Sequence, residues 1–148
     1  MAIARGAGSE IIRTIFLEDV NNTNYQVIVG VQHHIYTVLS ITMHAKTLNA
    51  AGDYCYAYFK GYDTVGATTN QTIYLFKNDM QLGETYVWND KFSFNGYEPT
   101  DFSATLDATK QDAIADQGSS VSQGLWIGAE HASDGFDCTV TYIDQNNA

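Results

Sequence analysis

The sequence predicts an all-β protein, a jelly-roll-like antiparallel β-sandwich with one short helix or structured insert, and three observations carry that prediction. Aromatic and β-branched residues run in short alternating stretches, Gly, Asn, Asp and Ser clusters separate those stretches at even spacing, and only one proline stands in 148 residues. Apolar residues make up 45% of the chain and aromatics 13%, against 16% charged, so a packed core is within reach and a disordered tail is excluded. A chain of this length folding as one unit would bury roughly two-thirds of the surface that its unfolded form exposes.

The elements follow in order. Residues 1–17 read as an N-terminal arm and residues 18–148 as a single sandwich domain. Within the arm, Ile11-Ile-Arg-Thr-Ile-Phe-Leu17 is apolar enough to be a strand or a docking segment, and Ile11, Ile12, Ile15, Phe16 and Leu17 are its candidate contact residues. Glu18 to Asn22 should break that stretch. Residues 25–31 and 35–43 then read as strands, the second with Ile35, Thr37, Leu39, Ile41 and Met43 on one face. The turn chemistry at Leu48-Asn-Ala-Ala-Gly-Asp53 predicts a hairpin into residues 54–60, where Tyr54, Tyr56 and Tyr58 alternate with Cys55, Ala57 and Phe59. A further strand is expected at 72–77, and a strand or a pair of short strands at 85–94. From Ala104 to Gln117 the period changes: Leu106, Lys110, Ala113 and Ile114 share a helical face, and Thr109 and Asp112 stand at capping-box spacing. Residues 123–129 and 136–142 read as a closing antiparallel hairpin around Ser133-Asp134-Gly135.

Seventeen acidic residues against seven basic ones give a formal charge of -10, a surface field that repels phosphate backbones and anionic lipid heads. Neither nucleic acid nor membrane is an expected partner. The N-terminal residues lack the uninterrupted apolar run of a signal peptide, which predicts synthesis and folding in the cytoplasm. Cys55 and Cys138 fall in different strands without CxxC spacing, so free buried thiols are expected.

Catalytic chemistry finds no foothold: GxSxG, HExxH, Walker and dinucleotide fingerprints are all absent. His33 and His34 are adjacent and would point to opposite faces of a strand, while His44 and His131 are far apart in sequence. The acidic groups Glu18-Asp19 and Asp134 with Asp137 lack the alternate spacing of a calcium loop. No metal and no cofactor is therefore expected, and the protein reads as a non-enzyme. The tyrosines at 54, 56 and 58, with Trp88 and Trp126, fit either a subunit interface or a surface on which sugar rings stack.

Four strings stand in order along the chain: Ile35-Tyr-Thr-Val-Leu-Ser-Ile41, Leu48-Asn-Ala-Ala-Gly-Asp53, Leu82-Gly-Glu-Thr-Tyr-Val87 ahead of Asp90-Lys91-Phe92, and Val140-Thr-Tyr-Ile-Asp144. With them, residues 34–145 resemble the small virion proteins of tailed phages, and the opening Ala4-Arg-Gly-Ala-Gly8 resembles that of marine podovirus members. The segment from Pro99 to Ser120 departs from the simplest members. The resemblance implies a bacteriophage structural protein on the virion: a capsid decoration (cement) protein that stabilises the assembled shell, or alternatively a tail or fibre component that binds a receptor or carbohydrate. It also implies a homo-oligomer, commonly a trimer, whose partners are its own subunits and the major capsid or tail proteins.

Overall fold

The computed structural model describes residues 9–63, 68–98 and 121–146. Among them nine strands form two sheets: β1 (Ser9–Val20), β2 (Tyr25–Val29), β3 (His34–Thr47), β4 (Tyr54–Asp63), β5 (Thr68–Asp79), β6 (Thr85–Trp88), β7 (Phe92–Asn95), β8 (Gly124–Ala129) and β9 (Gly135–Asn146). One sheet has the order β1-β9-β3, with β6 and β7 lying one after the other along the far side of β3. The second has the order β2-β8-β4-β5, and every pairing is antiparallel. With β6 and β7 counted as one interrupted strand, the chain wraps as an eight-stranded jelly roll. The expected all-β sandwich is the one observed. The described residues hold no helix, and the expected helical segment at 104–117 lies outside them.

Alternation explains the core. Along β9, Phe136, Cys138, Val140 and Tyr142 are buried, while Asp137, Thr139, Thr141 and Ile143 between them are not. These inward residues, with Val38, Ile41 and Met43 of β3, pack against Cys55, Ala57 and Phe59 of β4 and against Leu125 and Ile127 of β8. Both cysteines are buried free thiols, and the Cys138 Sγ donates to Met43 Sδ at 3.0 Å.

Three expectations require correction. The first is the face of β3: the buried set is Tyr36, Val38, Ile41, Met43 and Ala45, because the register against β9 shifts between Val38 and Ser40. A one-residue bulge reverses which face an alternating strand buries, so Ile35 and Thr37 lie on the opposite face from Ile41 and Met43. The second is the pair of hairpins expected around residues 48–53 and 133–135. At each turn the chain crosses from one sheet to the other, since β3 and β9 belong to the first sheet and β4 and β8 to the second. Turn residues show where the chain reverses but not which strand receives it. The third is the break at Glu18: β1 continues to Val20 through an irregularity in its register, with Asp19 in the left-handed region at φ 54°.

Gln123 ties the two sheets together near one end of the sandwich. Its side-chain oxygen accepts from the Tyr62 N–H at 2.7 Å, and its side-chain nitrogen donates to the Asn95 carbonyl at 3.0 Å. A buried amide with both ends bonded in this way avoids the cost of an unpaired polar group.

Candidate functional site

Two surfaces concentrate unusual chemistry, one on the outside of each sheet. The first begins with β1, which has β9 on one side and, among the described residues, no strand on the other. Residues directly opposite in an antiparallel pair share a face, so the β9 pattern assigns the β1 side chains from Ser9 to Leu17. Ile15 and Leu17 stand opposite Val140 and Cys138, point inward and pack against the core. Ile11 stands opposite the buried Asp144 but remains half-exposed, while Ile12 and Phe16 stand opposite Ile143 and Thr139 and are 70% and 75% exposed. The five candidate arm residues thus divide between core and surface, and they belong to a strand of the sheet rather than to a free arm.

The outward face of that sheet can be followed row by row. Ile12, Ile143, Thr37 and Ser93 form one row; Thr14, Thr141 and Ser40 the next; Phe16, Thr139, Thr42 and Val87 the third. None of these side chains is charged. The hydroxyls satisfy one another across the strands: Thr14 with Thr141 at 3.2 Å, Thr37 with Ser93 at 3.0 Å, and Thr42 with Thr139. Charge flanks these rows at both ends, with Glu10 beyond Ile12 and, beyond Phe16, Lys46 bridging Asp19 at 3.1 Å and Asp137 at 3.8 Å. A depression of about 590 Å³ lies there among Phe16, Thr42, His44 and Asp137.

The second surface covers the outside of β8, β4 and β5. Tyr56 and Tyr58 point away from the core, as the alternation predicts, yet they are only 9% and 6% exposed, because aromatic neighbours stand around them. Tyr58 stacks parallel to Trp126 at 5.6 Å between centroids, and Tyr74 meets both Tyr56 and Tyr58. Tyr56 leans across β8 and donates its hydroxyl hydrogen to Asn24 Oδ1. Burial pushes the Tyr56 hydroxyl up to about 12 and raises that of Tyr58, with neighbouring phenols adding to both, so the hydroxyls remain protonated donors at neutral pH. A cleft of about 400 Å³ opens above this floor, and its rim includes Asn22, Asn24, Lys60, Thr72 and Glu130. The sequence marked Tyr54, Tyr56, Tyr58 and Trp126; it did not mark Tyr74, which pairs with Tyr58 only through the register of β4 with β5. Trp88 belongs to the core.

Comparison with known proteins adds a limited likeness of shape. No protein-family model matches the chain, and no curated protein matches it. Among solved structures, it is similar to a chain of Bacillus endospore appendages, described as disulfide-linked pili, at 10% identity and a TM-score of 0.43, covering 100% of this chain and 97% of that one. It is also similar to a chain of the T13 IBDV viral particle at 8% identity and a TM-score of 0.48, covering 93% of this chain but only 31% of that one.

The turn before β4 and the end of β8 also bring together groups that sequence spacing kept apart. His131 Nε2 lies 3.8 Å from Asp53 Oδ1 and 3.7 Å from Glu130 Oε1, and the three donors fall within 4.8 Å of one another. The remaining carboxylate oxygens accept backbone N–H groups, Asp53 from Ala50 at 2.9 Å and Glu130 from Tyr54 at 3.2 Å. The group acts as a polar latch between the β3–β4 and β8–β9 turns. Across the molecule, Asp144 plays a similar part at the edge of the core, accepting from Arg13 at 3.2 Å and bonding His34 Nδ1 at 2.5 Å.

Proposed function

We propose that the chain is a non-enzymatic structural subunit of a bacteriophage virion, a decoration protein that associates with copies of itself as a trimer and binds the major capsid protein on the assembled shell. The observation that carries this reading is the uncharged face of the first sheet, from Ile12 and Phe16 across the threonine rows to Val87, beside the outer edge of β1, which no strand among the described residues pairs. In a chain of net charge -10, a patch free of charge is where two copies meet with least repulsion. The edge of β1, unpaired by any strand among the described residues, offers backbone donors and acceptors to a different surface of a neighbouring copy, a head-to-tail contact of the kind that closes a trimer.

Size argues for many weak contacts rather than one strong one. Three rows over four strands cover about 400 Å² at ordinary strand spacings, about half of what each partner contributes to a standard interface. A single contact of that area binds weakly, whereas a subunit held at several points of a repeating shell gains effective concentration with each contact. Binding only the assembled lattice then stabilises it by mass action.

The test pairs sedimentation equilibrium of the purified protein with its co-sedimentation on tailless capsid shells. Wild type is expected to form a concentration-dependent oligomer and to pellet with shells at a saturating ratio, and the Ile12→Lys, Phe16→Lys double variant to remain monomeric and in the supernatant. If that variant associates and pellets like wild type, the assigned face is wrong; if wild type never pellets with shells, the decoration role is wrong.

A further inference from the structure

We infer that the tyrosine-lined cleft on the outside of the second sheet is a binding site for an acidic oligosaccharide, a chain of pyranose rings carrying isolated carboxylate or sulfate groups. The inference does not depend on the assembly reading, since the cleft lies on the sheet opposite the uncharged face.

The cleft is built. Gly128 has no side chain because a Cβ there would stand 2.3 Å from the Tyr56 hydroxyl oxygen, so the glycine lets that ring lie over β8 and reach Asn24. Tyr58 is clamped between Trp126 and Tyr74. These contacts fix the floor, while Tyr74, 51% exposed, offers ring surface at the wall. A volume of about 400 Å³ falls in the range of small-molecule sites.

Charge identifies the ligand class further. Arg13 and Lys46 are committed to carboxylates, but Lys60 and Lys77 pair with no carboxylate among the described residues. They lie against aromatic rings instead: Lys60 Nζ is 5.4 Å from the Trp126 centroid, and Lys77 Nζ is 4.2 Å from that of Tyr54 and 5.9 Å from that of Tyr74. Two cations without acidic partners beside one cleft, in a chain with ten more acids than bases, are positioned for an anion from outside.

The rest of the lining selects among anions. Asn24 keeps its amide nitrogen as a donor after its oxygen accepts from Tyr56, and Thr72, Asn22 and Glu130 supply hydroxyl, amide and carboxylate groups. A purely apolar ligand would bury these groups unpaired, which is costly. A nucleic acid or another dense polyanion would meet the field of the whole acidic molecule. A sugar chain offers hydroxyls for the rim, a C–H face for Tyr74 and an isolated acid group for Lys60.

The experiment titrates the intact chain by calorimetry, with tryptophan emission followed in parallel, against three probes of equal length: an oligogalactoside bearing a single galacturonate, one bearing a single sulfate, and the uncharged oligogalactoside. Saturable binding of at least one acidic probe is expected, about tenfold tighter than the neutral one, from the loss of a single charge-assisted bond. Lys60→Gln and Tyr74→Ala should each weaken it about tenfold, Lys60→Arg should restore it, and the Ile12→Lys, Phe16→Lys variant should bind as wild type does. Whichever acidic probe binds identifies the acid as carboxylate or sulfate. Equal affinity for acidic and neutral probes, saturation by none of them, or full binding by Lys60→Gln would overturn the inference.

Discussion

A methyl group at Gly128 would stand 2.3 Å from the Tyr56 hydroxyl oxygen and 2.5 Å from the adjacent ring carbon, and the ring has little room to yield, since Tyr54, Tyr58 and Tyr74 surround it. Gly128→Ala should therefore displace Tyr56 and break its bond to Asn24, at a cost of about 1–3 kcal/mol typical of overpacking. Thermal unfolding should show a lower midpoint, and the near-ultraviolet dichroism of the tyrosine cluster should weaken; an unchanged spectrum would mean that Tyr56 does not depend on Gly128. The tyrosine stripe itself was legible, because alternation along one strand places Tyr54, Tyr56 and Tyr58 on one side. Gly128 was not, nor was the union of Tyr58 with Trp126 and Tyr74, because those contacts come from strand registers that join distant parts of the chain.

At the scale of elements, β1 changes what truncation means. Removing residues 1–17 would leave of this strand only Glu18, Asp19 and Val20, uncover the β9 edge over most of its length, and take Ile15 and Leu17 away from the core. Losing two partly buried aliphatic side chains and a ladder of backbone bonds should cost several kcal/mol, on the order of 2–5 for each fully buried residue of this type. The truncated chain is thus expected to show a much lower urea midpoint or to aggregate through its new edge, whereas the Ile12→Lys, Phe16→Lys variant keeps β1 and should unfold near the wild-type midpoint. Equal midpoints for truncated and full-length protein would mean that β1 contributes nothing to the fold. The positions of most strands were readable from composition and alternation. The burial face of β3 was not, because the bulge between Val38 and Ser40 has no proline or glycine to announce it. Nor was the sheet to which each strand belongs, since this jelly roll sends β3 and β4, and β8 and β9, to opposite sheets with the same turn residues that a hairpin uses, while β4 and β5 stay in one.

For the whole molecule, both sheets hold protons that they can release only by opening. Burial, reinforced by the nearby Asp144, raises Tyr36 of the first sheet from 10.0 to about 12, and burial among other phenols does the same for Tyr56 of the second. Between the sheets, burial raises Cys55 from 9.0 to about 12 and pushes Cys138 up as well. Each group binds its proton more tightly folded than unfolded, so its contribution to stability is complete below the unfolded value and declines as pH rises toward the folded one. The decline should begin near pH 9 with the thiols, steepen above pH 10 as the tyrosines join, and continue to about pH 12. Each such proton contributes roughly 1.4 kcal/mol per pH unit over its own window. Because these groups span both sheets and the core between them, the sandwich should not shed them one at a time. Phenolate absorbance for the buried tyrosines, thiol reactivity and loss of β-sheet dichroism are expected to rise together in one cooperative transition between pH 10 and 12. Separate transitions, with the thiols reacting while the sheets persist, would show instead that the two sheets part locally before the fold is lost.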